Sequence, residues 1–287
     1  LTADMGAFSL KRFKKDMPRQ YFNVGVAEQN MISVAAGLSL GGKNVFVYSI
    51  VPFVTLRCYE QIKIDFCCMN LPVTLVGIGA GVTYGGDGPT HHATHDIAVM
   101  RVLPEMTIVN PSDAALTRMS ARFAYNNTTP TYIRIEKGTL PAIHSEDDDY
   151  QSGLSALSQG ADVTILATGI MVHNALDVAE RLQEKGVSTG VVDIYRVKPL
   201  NQNLLLRHIN RSKNIVTLED NSIIGGLGSM ISEVFCDCQV NKPLKRIAMP
   251  DCHCFESFQR EALHTLYQLD VEAVTRTVLD WLSAVKS

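Results

Sequence analysis

Glu28 is a single carboxylate in an apolar stretch, residues 21–40, which reads YFNVGVAEQNMISVAAGLSL. Burying an ionised carboxylate costs free energy unless a ligand binds it or a proton neutralises it. A glutamate at the start of a helix also complements the helix dipole, but that role does not explain the apolar residues just upstream. We therefore interpret Glu28 as a group that bonds the ring of a cofactor.

Two later clusters carry further side chains suited to chemistry. Phe53 lies in SIVPFVTLR, with Arg57 four residues on, and taken alone it would be an ordinary core aromatic. Residues 85–95, GGDGPTHHATH, combine glycines and a proline with four titratable side chains, which is typical of a loop that brings backbone and polar groups to a ligand. The glycines do not form a phosphate-binding GxGxxG or P-loop motif, because no helix with the required glycines and lysine opens there.

Metal binding is the less favoured interpretation of the histidines and cysteines. The three histidines of this loop lack an HExxH helix. The two Cys-x-Cys pairs, which begin at Cys236 and Cys252, do not have the usual C-x2-C spacing, and the first falls on a predicted helix. We expect no metal site in this chain, and the seven cysteines, an odd number, predict reduced thiols in a cytoplasm.

The composition describes a soluble globular protein. The chain has 287 residues, 46% of them hydrophobic and 19% charged, enough for one large domain or two ordinary ones. A net charge of -3 gives no indication of a nucleic-acid partner, and the basic run between Lys11 and Lys15 is interpreted as a solvated face. No apolar run reaches the roughly 18 residues of a membrane span, and no signal peptide is visible. The opening LTADMG reads like the end of a strand and its loop, so we expect the N-terminus to be trimmed.

Short apolar runs rich in β-formers alternate with helical patterns, which predicts an α/β fold with two domains, each a mostly parallel twisted sheet flanked by helices. Helices are predicted over residues 27–40 and 55–69, and strands over 45–50 and 73–79. Ser112 is predicted to cap a helix over 113–125. An acidic, polar stretch then interrupts the pattern, so we predict domains at 1–145 and 161–287, joined by a linker at 146–160.

Three segments carry a family resemblance. YFNVGVAEQN, SIVPFVTLRCYEQI and GGDGPTHHATHDIAVMRVLPEMTIVNPSD, in this order and spacing, resemble the pyrimidine-binding domain of transketolase-family thiamine diphosphate enzymes. The second half, from DVTILATGIMVHNALDVAERL to NIVTLEDNSIIGGLGSMISEVF and the closing helix, is similar to the family's C-terminal domain. The resemblance covers nearly the whole chain and is strongest for the C-terminal subunit of split transketolases.

The resemblance implies how the cofactor would be held. Glu28 would hydrogen-bond N1′ of the aminopyrimidine, which favours the imino tautomer whose 4′-nitrogen removes the thiazolium C2 proton. Phe53 would stack on the pyrimidine, and Ile50 would also contact the cofactor. Asp4 matches a family aspartate near the thiazolium.

The resemblance also implies how the substrate would be held. His91 would act near the scissile bond and, with Asp87, contact the sugar hydroxyls, while Lys137 and Tyr84 would contact the rest of the substrate. The implied reaction transfers a two-carbon ketol unit from a ketose to an aldose, and the cofactor supplies the difficult chemistry.

One half of the cofactor site is missing from the sequence. The family binds the diphosphate and its Mg2+ through a GDG motif and a downstream asparagine in an N-terminal domain, whereas Gly86-Asp87-Gly88 aligns with the substrate loop and has no suitable asparagine after it. The resemblance therefore implies that this chain binds the pyrimidine half of thiamine diphosphate. It further implies an N-terminal transketolase subunit that carries the Mg2+ site, self-association through this domain, sugar or sugar-phosphate substrates, and neither nucleic acid nor membrane as a partner.

Three positions depart from the family pattern. Gly79 and Ala80 stand where relatives carry a histidine or an arginine that contacts a phosphate, and Lys137 stands where relatives have a phosphate-binding arginine. Lysine is a point charge rather than a bidentate fork, so phosphate recognition is weakened or altered. We expect a substrate other than the ordinary pentose phosphate pair, such as an unusual or nucleotide-linked sugar.

Two other functions stay open at the level of sequence. A deoxyxylulose-phosphate-synthase-like or 2-oxoacid-dehydrogenase β-like enzyme would use the same cofactor, although the missing arginine at Ala80 argues against the former. A non-catalytic scaffold subunit would keep the fold without turnover. The joint presence of Glu28, Phe53, Asp87 and His91 argues against a scaffold, which needs none of them.

Overall fold

A computed structural model describes residues 1–5 and 10–286 of the chain. The strands within these residues are β1 Val45–Ile50, β2 Val73–Ile78, β3 Thr107–Val109, β4 Thr131–Ile135, β5 Ser155–Ser158, β6 Val163–Ala167, β7 Thr189–Asp193, β8 Arg196–Lys198, β9 Asn214–Ser222 and β10 Leu244–Met249. The α-helices are α1 Lys11–Asp16, α2 Glu28–Leu40, α3 Val51–Val54, α4 Tyr59–Gln61, α5 Asp96–Arg101, α6 Ala114–Asn126, α7 Met171–Glu184, α8 Gln202–Ile209, α9 Leu227–Asp237, α10 Arg260–Leu266 and α11 Val271–Lys286. Short 3-10 turns occur at Pro18–Gln20, Gly85–Asp87 and Tyr150–Ser152, and a π-helical turn at Ile62–Cys68.

The strands form two five-stranded sheets, which confirms the predicted α/β fold. The first has the order β1-β2-β4-β3-β8 and the second β10-β9-β6-β7-β5. In each sheet four strands are parallel and one edge strand, β8 or β5, is antiparallel. Parallel sheets of this kind are covered by helices on both faces, which explains why β3, β6, β7 and β9 are buried at every residue.

Strand β8 joins the two halves of the chain. It comes from the second half of the sequence but pairs with β3 of the first sheet, Val109 opposite Arg196 and Ile108 opposite Lys198. The Lys198 ammonium also donates to the carbonyl of Arg101 at 2.8 Å. The predicted linker is similarly part of the fold, since β5 lies within residues 146–160 and pairs with β7. The domain limits themselves stay a prediction.

The helix that follows Glu28 is packed through small residues, as its sequence predicts. Met31, Ile32 and Ala35 are fully buried on one face, and the helix ends at Gly41. Gly42 follows with a φ of 76°, a left-handed conformation that glycine adopts without strain. The predicted residues 27–40 therefore differ from the observed helix by one residue at the start.

The single helix predicted over residues 55–69 is wrong. Helix α3 begins earlier, with Pro52 in its first turn, where the missing N–H is not needed. It ends at Thr55, whose hydroxyl donates to the Val51 carbonyl at 2.7 Å, and the chain resumes as α4 and the π-helical turn. A π-helical turn accommodates an extra residue per turn, which a 3.6-residue periodicity does not reveal.

The predicted helix cap at Ser112 is also wrong by one residue. Asp113 is the N-cap of α6, where its Oδ1 accepts a hydrogen bond from the Leu116 N–H at 2.9 Å. Its Oδ2 accepts from the N–H groups of Ile143 and His144 at 2.8 and 2.7 Å. Ser112 instead donates to Asp193 of the second sheet at 2.5 Å, so its hydroxyl is not available to the helix.

Among the described residues, no helix is both long enough and apolar enough to cross a membrane.

Candidate active site

The candidate site lies at the carboxyl ends of parallel strands in the first sheet. Ile50, Ile78 and Ile135 end β1, β2 and β4 and lie side by side in register. Phe53 follows Ile50, residues 79–88 follow Ile78, and Lys137 follows Ile135. We call residues 79–88 the glycine loop. Open parallel sheets bind ligands in the crevice outside this edge.

The segments that carry Asp4 and Glu28 reach the same edge. Thr2 forms parallel bridges with Tyr48 of β1 and with Asn23, so the chain runs in the same direction in all three places. The Asn23 side chain then connects the two segments, because its Nδ2 donates to Asp4 Oδ1 at 3.2 Å and its Oδ1 accepts from the Asp4 N–H at 2.9 Å. The same Oδ1 accepts from the Gly25 N–H at 3.0 Å, which fixes the turn before α2.

Glu28 is buried and paired with Arg57. Its side chain is 4% exposed, and Oε2 accepts a hydrogen bond from Arg57 Nη1 at 2.8 Å. The Arg57 guanidinium also lies over the Phe53 ring, with its carbon 4.2 Å from the ring centroid. Burial, reinforced by the charge of Glu28 and opposed by Arg57, raises the pKa of the neighbouring Cys58 thiol to about 12, which excludes Cys58 as a thiolate nucleophile at neutral pH.

A row of rings extends from Phe53 to Lys137. The Phe53 and His91 rings meet edge to face, with centroids 4.9 Å apart and an interplanar angle of 71°. The Tyr84 ring centroid lies 6.0 Å from that of His91, and Lys137 Nζ lies 4.8 Å from the Tyr84 centroid. His91 Nδ1 is 3.0 Å from the Thr90 hydroxyl, a contact that orients the imidazole. Burial, with smaller contributions from Tyr48 and Asp87, raises the pKa of the Tyr84 phenol, so it stays neutral and can donate a hydrogen bond.

The remaining predicted site residues lie beside this row. Asp87 is exposed and ends the 3-10 turn that follows Tyr84, and its N–H donates to the Tyr84 carbonyl at 2.9 Å. Ile50 is half-buried at the last position of β1, and its extended backbone leads into α3. Asp4 is exposed, and its described contacts are with Asn23 rather than with the aromatic row.

Gly79 explains the position of Tyr84. Its φ is 87°, and a Cβ at this position would lie 2.1 Å from the Tyr84 ring. The tyrosine therefore occupies the space that a larger side chain at residue 79 would need. Ala80 is fully buried, so its side chain does not face a ligand at the surface.

A buried ionic network supports the segment that carries His91. Arg134 of β4 is fully buried and donates to Asp96 at 2.9 Å, to the Ala93 carbonyl at 3.0 Å and to Asp220 at 3.3 Å. Asn221 donates to the other Asp96 oxygen at 2.8 Å. Because Asp220 and Asn221 belong to β9, the second sheet helps to fix the end of the histidine segment.

The residues at this site fit a planar cofactor ring. Arg57 makes the two kinds of contact that such a ring would make. It donates an N–H to Glu28, and its planar guanidinium lies over the Phe53 ring. An aminopyrimidine is also planar and can present a ring nitrogen to a buried carboxylate and a face to an aromatic ring. Within residues 1–5 and 10–286, no three His, Cys, Asp or Glu side chains are grouped so that they could hold a metal ion.

Sequence reasoning noted Arg57 without giving it a role, and it missed Asn23. Arg57 lies beyond the end of α3, where its N–H donates to the Pro52 carbonyl at 3.2 Å, so helical spacing does not predict its stacking on Phe53. Asn23 lies five residues before Glu28, but its bond to Asp4 spans 19 residues, which no local pattern reveals.

Comparison with known proteins agrees with this geometry. The family model "Transketolase, pyrimidine binding domain" matches residues 1–142, and "Transketolase, C-terminal domain" matches residues 154–274. The chain is 34% identical over 280 residues to one subunit of the apulose-4-phosphate transketolase of Phocaeicola vulgatus, covering 96% of this chain and 88% of that protein. It is 40% identical over 255 residues to the 6-deoxy-6-sulfo-D-fructose transketolase subunit SqwH of Clostridium sp. (strain MSTE9), covering 88% and 79%.

A solved structure described as "Split gene transketolase, inactive beta4 tetramer" superposes with a TM-score of 0.87 at 35% sequence identity. The match covers 99% of this chain and 91% of that chain. The resemblance predicted from sequence is confirmed, because the match covers 79–91% of the length of each of these proteins. The chain therefore belongs to the transketolase family, as a counterpart of the C-terminal subunit of the split enzymes.

Proposed function

We propose that this chain is the C-terminal subunit of a thiamine-diphosphate-dependent transketolase that transfers a two-carbon ketol unit between sugars. The observation that carries the proposal is the continuous contact from Glu28 through Arg57 and Phe53 to His91, at the carboxyl edge of a pyrimidine-binding domain. A scaffold would not need a buried carboxylate beside a stacked aromatic ring at this edge.

When bound, thiamine diphosphate would supply a nucleophilic carbon able to cleave and re-form a carbon–carbon bond next to a carbonyl. Glu28 would hold the proton at a pyrimidine nitrogen, and its hydrogen bond would be strong because the carboxylate is excluded from water. Phe53 would hold the ring by stacking once Arg57 has moved aside. Ile50 would contribute an apolar wall, and Asp4 would lie on the opposite side of the turn fixed by Asn23.

His91 and Asp87 would bind the sugar hydroxyls near the bond that breaks. The imidazole contacts the Phe53 and Tyr84 rings and the Thr90 hydroxyl, so it can exchange a proton at a fixed position. Tyr84 would line the path toward Lys137, whose exposed ammonium would attract an anionic group of the substrate.

The cofactor's diphosphate and Mg2+ would be held by a separate N-terminal subunit, and the active site would lie between chains. The relatives from Phocaeicola vulgatus and Clostridium are each one subunit of a transketolase, which supports a hetero-oligomer. The similar "beta4 tetramer" supports self-association. The seven free cysteines support a reducing, cytoplasmic location.

The substrate is proposed to be an unusual sugar. Two relatives are named for apulose 4-phosphate and 6-deoxy-6-sulfo-D-fructose, which shows how widely the sugar varies among similar subunits. In this chain Tyr84 fills the space above Gly79, and Lys137 is the cation at the end of the aromatic row. A nucleotide-linked sugar would fit a site with stacking surface and a single lysine.

The test is ketol transfer by the complex of this chain with its N-terminal subunit. The complex should transfer a ketol unit, whereas the Glu28→Ala complex should assemble with an activity lower by at least about a hundredfold, as expected for loss of an essential proton-holding group. Unchanged activity in Glu28→Ala would contradict the proposed role. In a substrate panel, robust turnover of xylulose 5-phosphate with ribose 5-phosphate would count against the unusual sugar.

A further inference from the structure

The glycine loop is in close contact with the C-terminal half of the chain. The Ser257 hydroxyl donates to the Gly86 carbonyl at 3.0 Å. At Gly85 an added Cβ would lie 2.2 Å from the Phe258 carbonyl oxygen and 2.8 Å from Leu263 Cδ1, so only glycine fits beneath this segment. Tyr84 and Asp87, which flank these two glycines, therefore take their positions from a surface that the second half provides.

A second contact reaches the start of the loop through an ion pair. Arg260, the first residue of α10, lies 2.9 Å from Glu136 Oε2, and the two side chains are only 13% and 5% exposed. The Thr83 hydroxyl lies 2.8 Å from the same carboxylate oxygen and 2.6 Å from the Ala80 carbonyl oxygen, and it donates its single proton to one or the other. Its position connects the ion pair directly to the turn before Tyr84. Glu136 immediately precedes Lys137, so it fixes both ends of the Tyr84–Lys137 contact.

A third contact comes from β9. Gly81 has a φ of 56°, and a Cβ there would lie 1.8 Å from Asp220 Oδ2. The loop is thus held at three points by residues far away in sequence. Such support matters for a segment with five glycines in ten residues, because glycine-rich backbone loses the most conformational entropy when it is ordered.

We propose that the C-terminal domain positions the sugar-contacting loop of this subunit, with Arg260 and Ser257 as positioning residues that act through Glu136, Thr83 and the Gly86 carbonyl. That the loop binds sugar rests on the proposed function. That the C-terminal domain orders the loop is independent of the proposed function, and we call this the mechanical part of the inference. A loop that is already ordered loses less conformational entropy when the substrate binds and reaches its reactive geometry. The C-terminal domain thereby acquires a role in substrate recognition without touching the cofactor.

The mechanical part is tested by hydrogen–deuterium exchange of this chain. In Arg260→Gln, peptides covering residues 79–92 should exchange at least about tenfold faster, because losing one partner of a buried ion pair shifts a local opening equilibrium by more than a factor of ten. Ser257→Ala, a milder change, should give a smaller acceleration in the same peptides. Arg276→Gln, a matched change at an exposed residue of α11, should leave them unchanged. Unaltered exchange in Arg260→Gln would overturn the proposal.

The functional part is tested in the complex with the N-terminal subunit, with hydroxypyruvate as donor and, as acceptor, the aldose of the substrate panel that gives the highest turnover. Arg260→Gln should raise the KM for the acceptor about tenfold while kcat changes less than about threefold and thiamine diphosphate affinity stays the same. Arg260→Lys, which keeps the charge, should recover most of the loss. A parallel fall in kcat and cofactor affinity would mean general disruption and would overturn the positioning role.

The two tests separate this inference from the proposed function. If the wild-type complex transfers no ketol unit, the proposed function fails, and the exchange experiment still decides whether the C-terminal domain orders the loop. The double variant Glu136→Gln, Arg260→Gln should exchange no faster than Arg260→Gln alone, because both changes break the same contact. Additive effects would contradict the assigned route through Glu136.

Discussion

Arg57 supplies the positive charge beside the buried Glu28. The ion pair spans 2.8 Å, with Glu28 almost fully buried and the Arg57 side chain 44% exposed. A half-exposed partner can move at low cost, whereas a buried carboxylate cannot follow it into water. Arg57 is therefore suited to support Glu28 in the unbound subunit and to give way to a ring that makes the same contacts.

Replacing Arg57 by methionine should destabilise the isolated chain by about 1–2 kcal/mol, because the variant leaves a buried carboxylate without its cation. The free energy of unfolding in urea measures this. The matched control is the double variant Glu28→Gln, Arg57→Met, in which the carboxylate is also removed and most of the stability should return. Equal destabilisation in the single and double variants would show that the pair is not coupled.

Glu219 is also a buried carboxylate, but unlike Glu28 it stabilises the start of a helix. It accepts hydrogen bonds from the N–H groups of Leu227 and Gly228, both at 2.7 Å, and so occupies the N-terminus of α9. Burial raises the pKa of Glu219 to about 7, despite these two donors, which favour the charged form. The glycine-rich start of α9 is therefore filled by the chain's own side chain.

This pKa predicts how stability depends on pH. The folded state keeps a proton on Glu219 up to about pH 7, whereas the unfolded chain releases it near 4.5, so the stabilisation is complete below the unfolded value and is lost as the pH rises through 7. Burial and Asp220 also raise the pKa of Glu136, although Arg260 opposes them, so Glu136 acts in the same direction. The free energy of unfolding should fall between pH 5 and 8, and in Glu219→Gln the fall should be smaller by about 2–3 kcal/mol. An identical pH profile in the variant would contradict the assignment.

At the scale of elements, the N-terminus of α6 depends on a single side chain. Asp113 caps the helix and also accepts two N–H groups from residues 143 and 144, which begin the connection to the second sheet. Burial alone would raise the pKa of Asp113, but the hydrogen bonds that its carboxylate accepts from three backbone N–H groups lower it. One residue thus joins a helix to a crossing segment.

Asp113→Ala should lower the free energy of unfolding by about 2–3 kcal/mol. This is more than the loss of an ordinary helix cap costs, because two further buried N–H groups also lose their acceptor. Thermal and urea unfolding provide the measurement. Asp280→Ala on the exposed face of α11 is the control and should change stability by less than about 0.5 kcal/mol. A cost no larger than that of the control would refute the three-donor role of Asp113.

The sequence predicts the central elements well because their patterns are local. Strand β1 has the limits expected from its apolar run, β2 ends one residue earlier than predicted, and the start of α2 is predicted to within one residue. The wrong or missing elements depend on contacts that the local hydrophobic pattern does not encode. The segment after Phe53 breaks into short helical pieces, and β8 is a three-residue strand that is defined only by pairing with β3.

In the candidate site, too, local motifs predicted some residues, whereas others are defined by contacts between distant parts of the chain. Motifs brought Glu28, Phe53, Tyr84, His91 and Lys137 into one prediction, and the structure joins them in one row of contacts. Asp4, Ile50 and Asp87 lie at the same edge, and the roles of all eight residues stay predictions. The support of the loop by Ser257 and Arg260 spans more than 120 residues in each case, so it could be found only after folding.

At the scale of the whole molecule, the two sheets are connected by buried charges. Arg134 of the first sheet contacts Asp220 of the second and Asp96 between them, and all three side chains are at most 1% exposed. Charged groups at this depth are stable only as a complete set. The interface therefore fixes the orientation of the two halves as well as holding them together.

Arg134→Met should destabilise the chain by about 3–5 kcal/mol, because two carboxylates lose their shared cation in a buried setting. Urea unfolding measures the loss, and Arg207→Met on the exposed side of α8 is the matched control, with an expected change below about 0.5 kcal/mol. A loss in Arg134→Met as small as in the control would show that the network contributes little.

We infer that this chain supplies one half of a cofactor site that two different subunits complete. Calorimetric titration of thiamine diphosphate, with Mg2+ present, into this chain, into the N-terminal subunit and into their mixture tests that claim most directly. The mixture should bind the cofactor at least about tenfold more tightly than either subunit alone, because binding and assembly are linked. In the mixture made with Glu28→Ala, assembly should persist while cofactor affinity falls. Binding by this chain alone with the affinity of the mixture, or no gain on mixing, would contradict a site shared between the subunits.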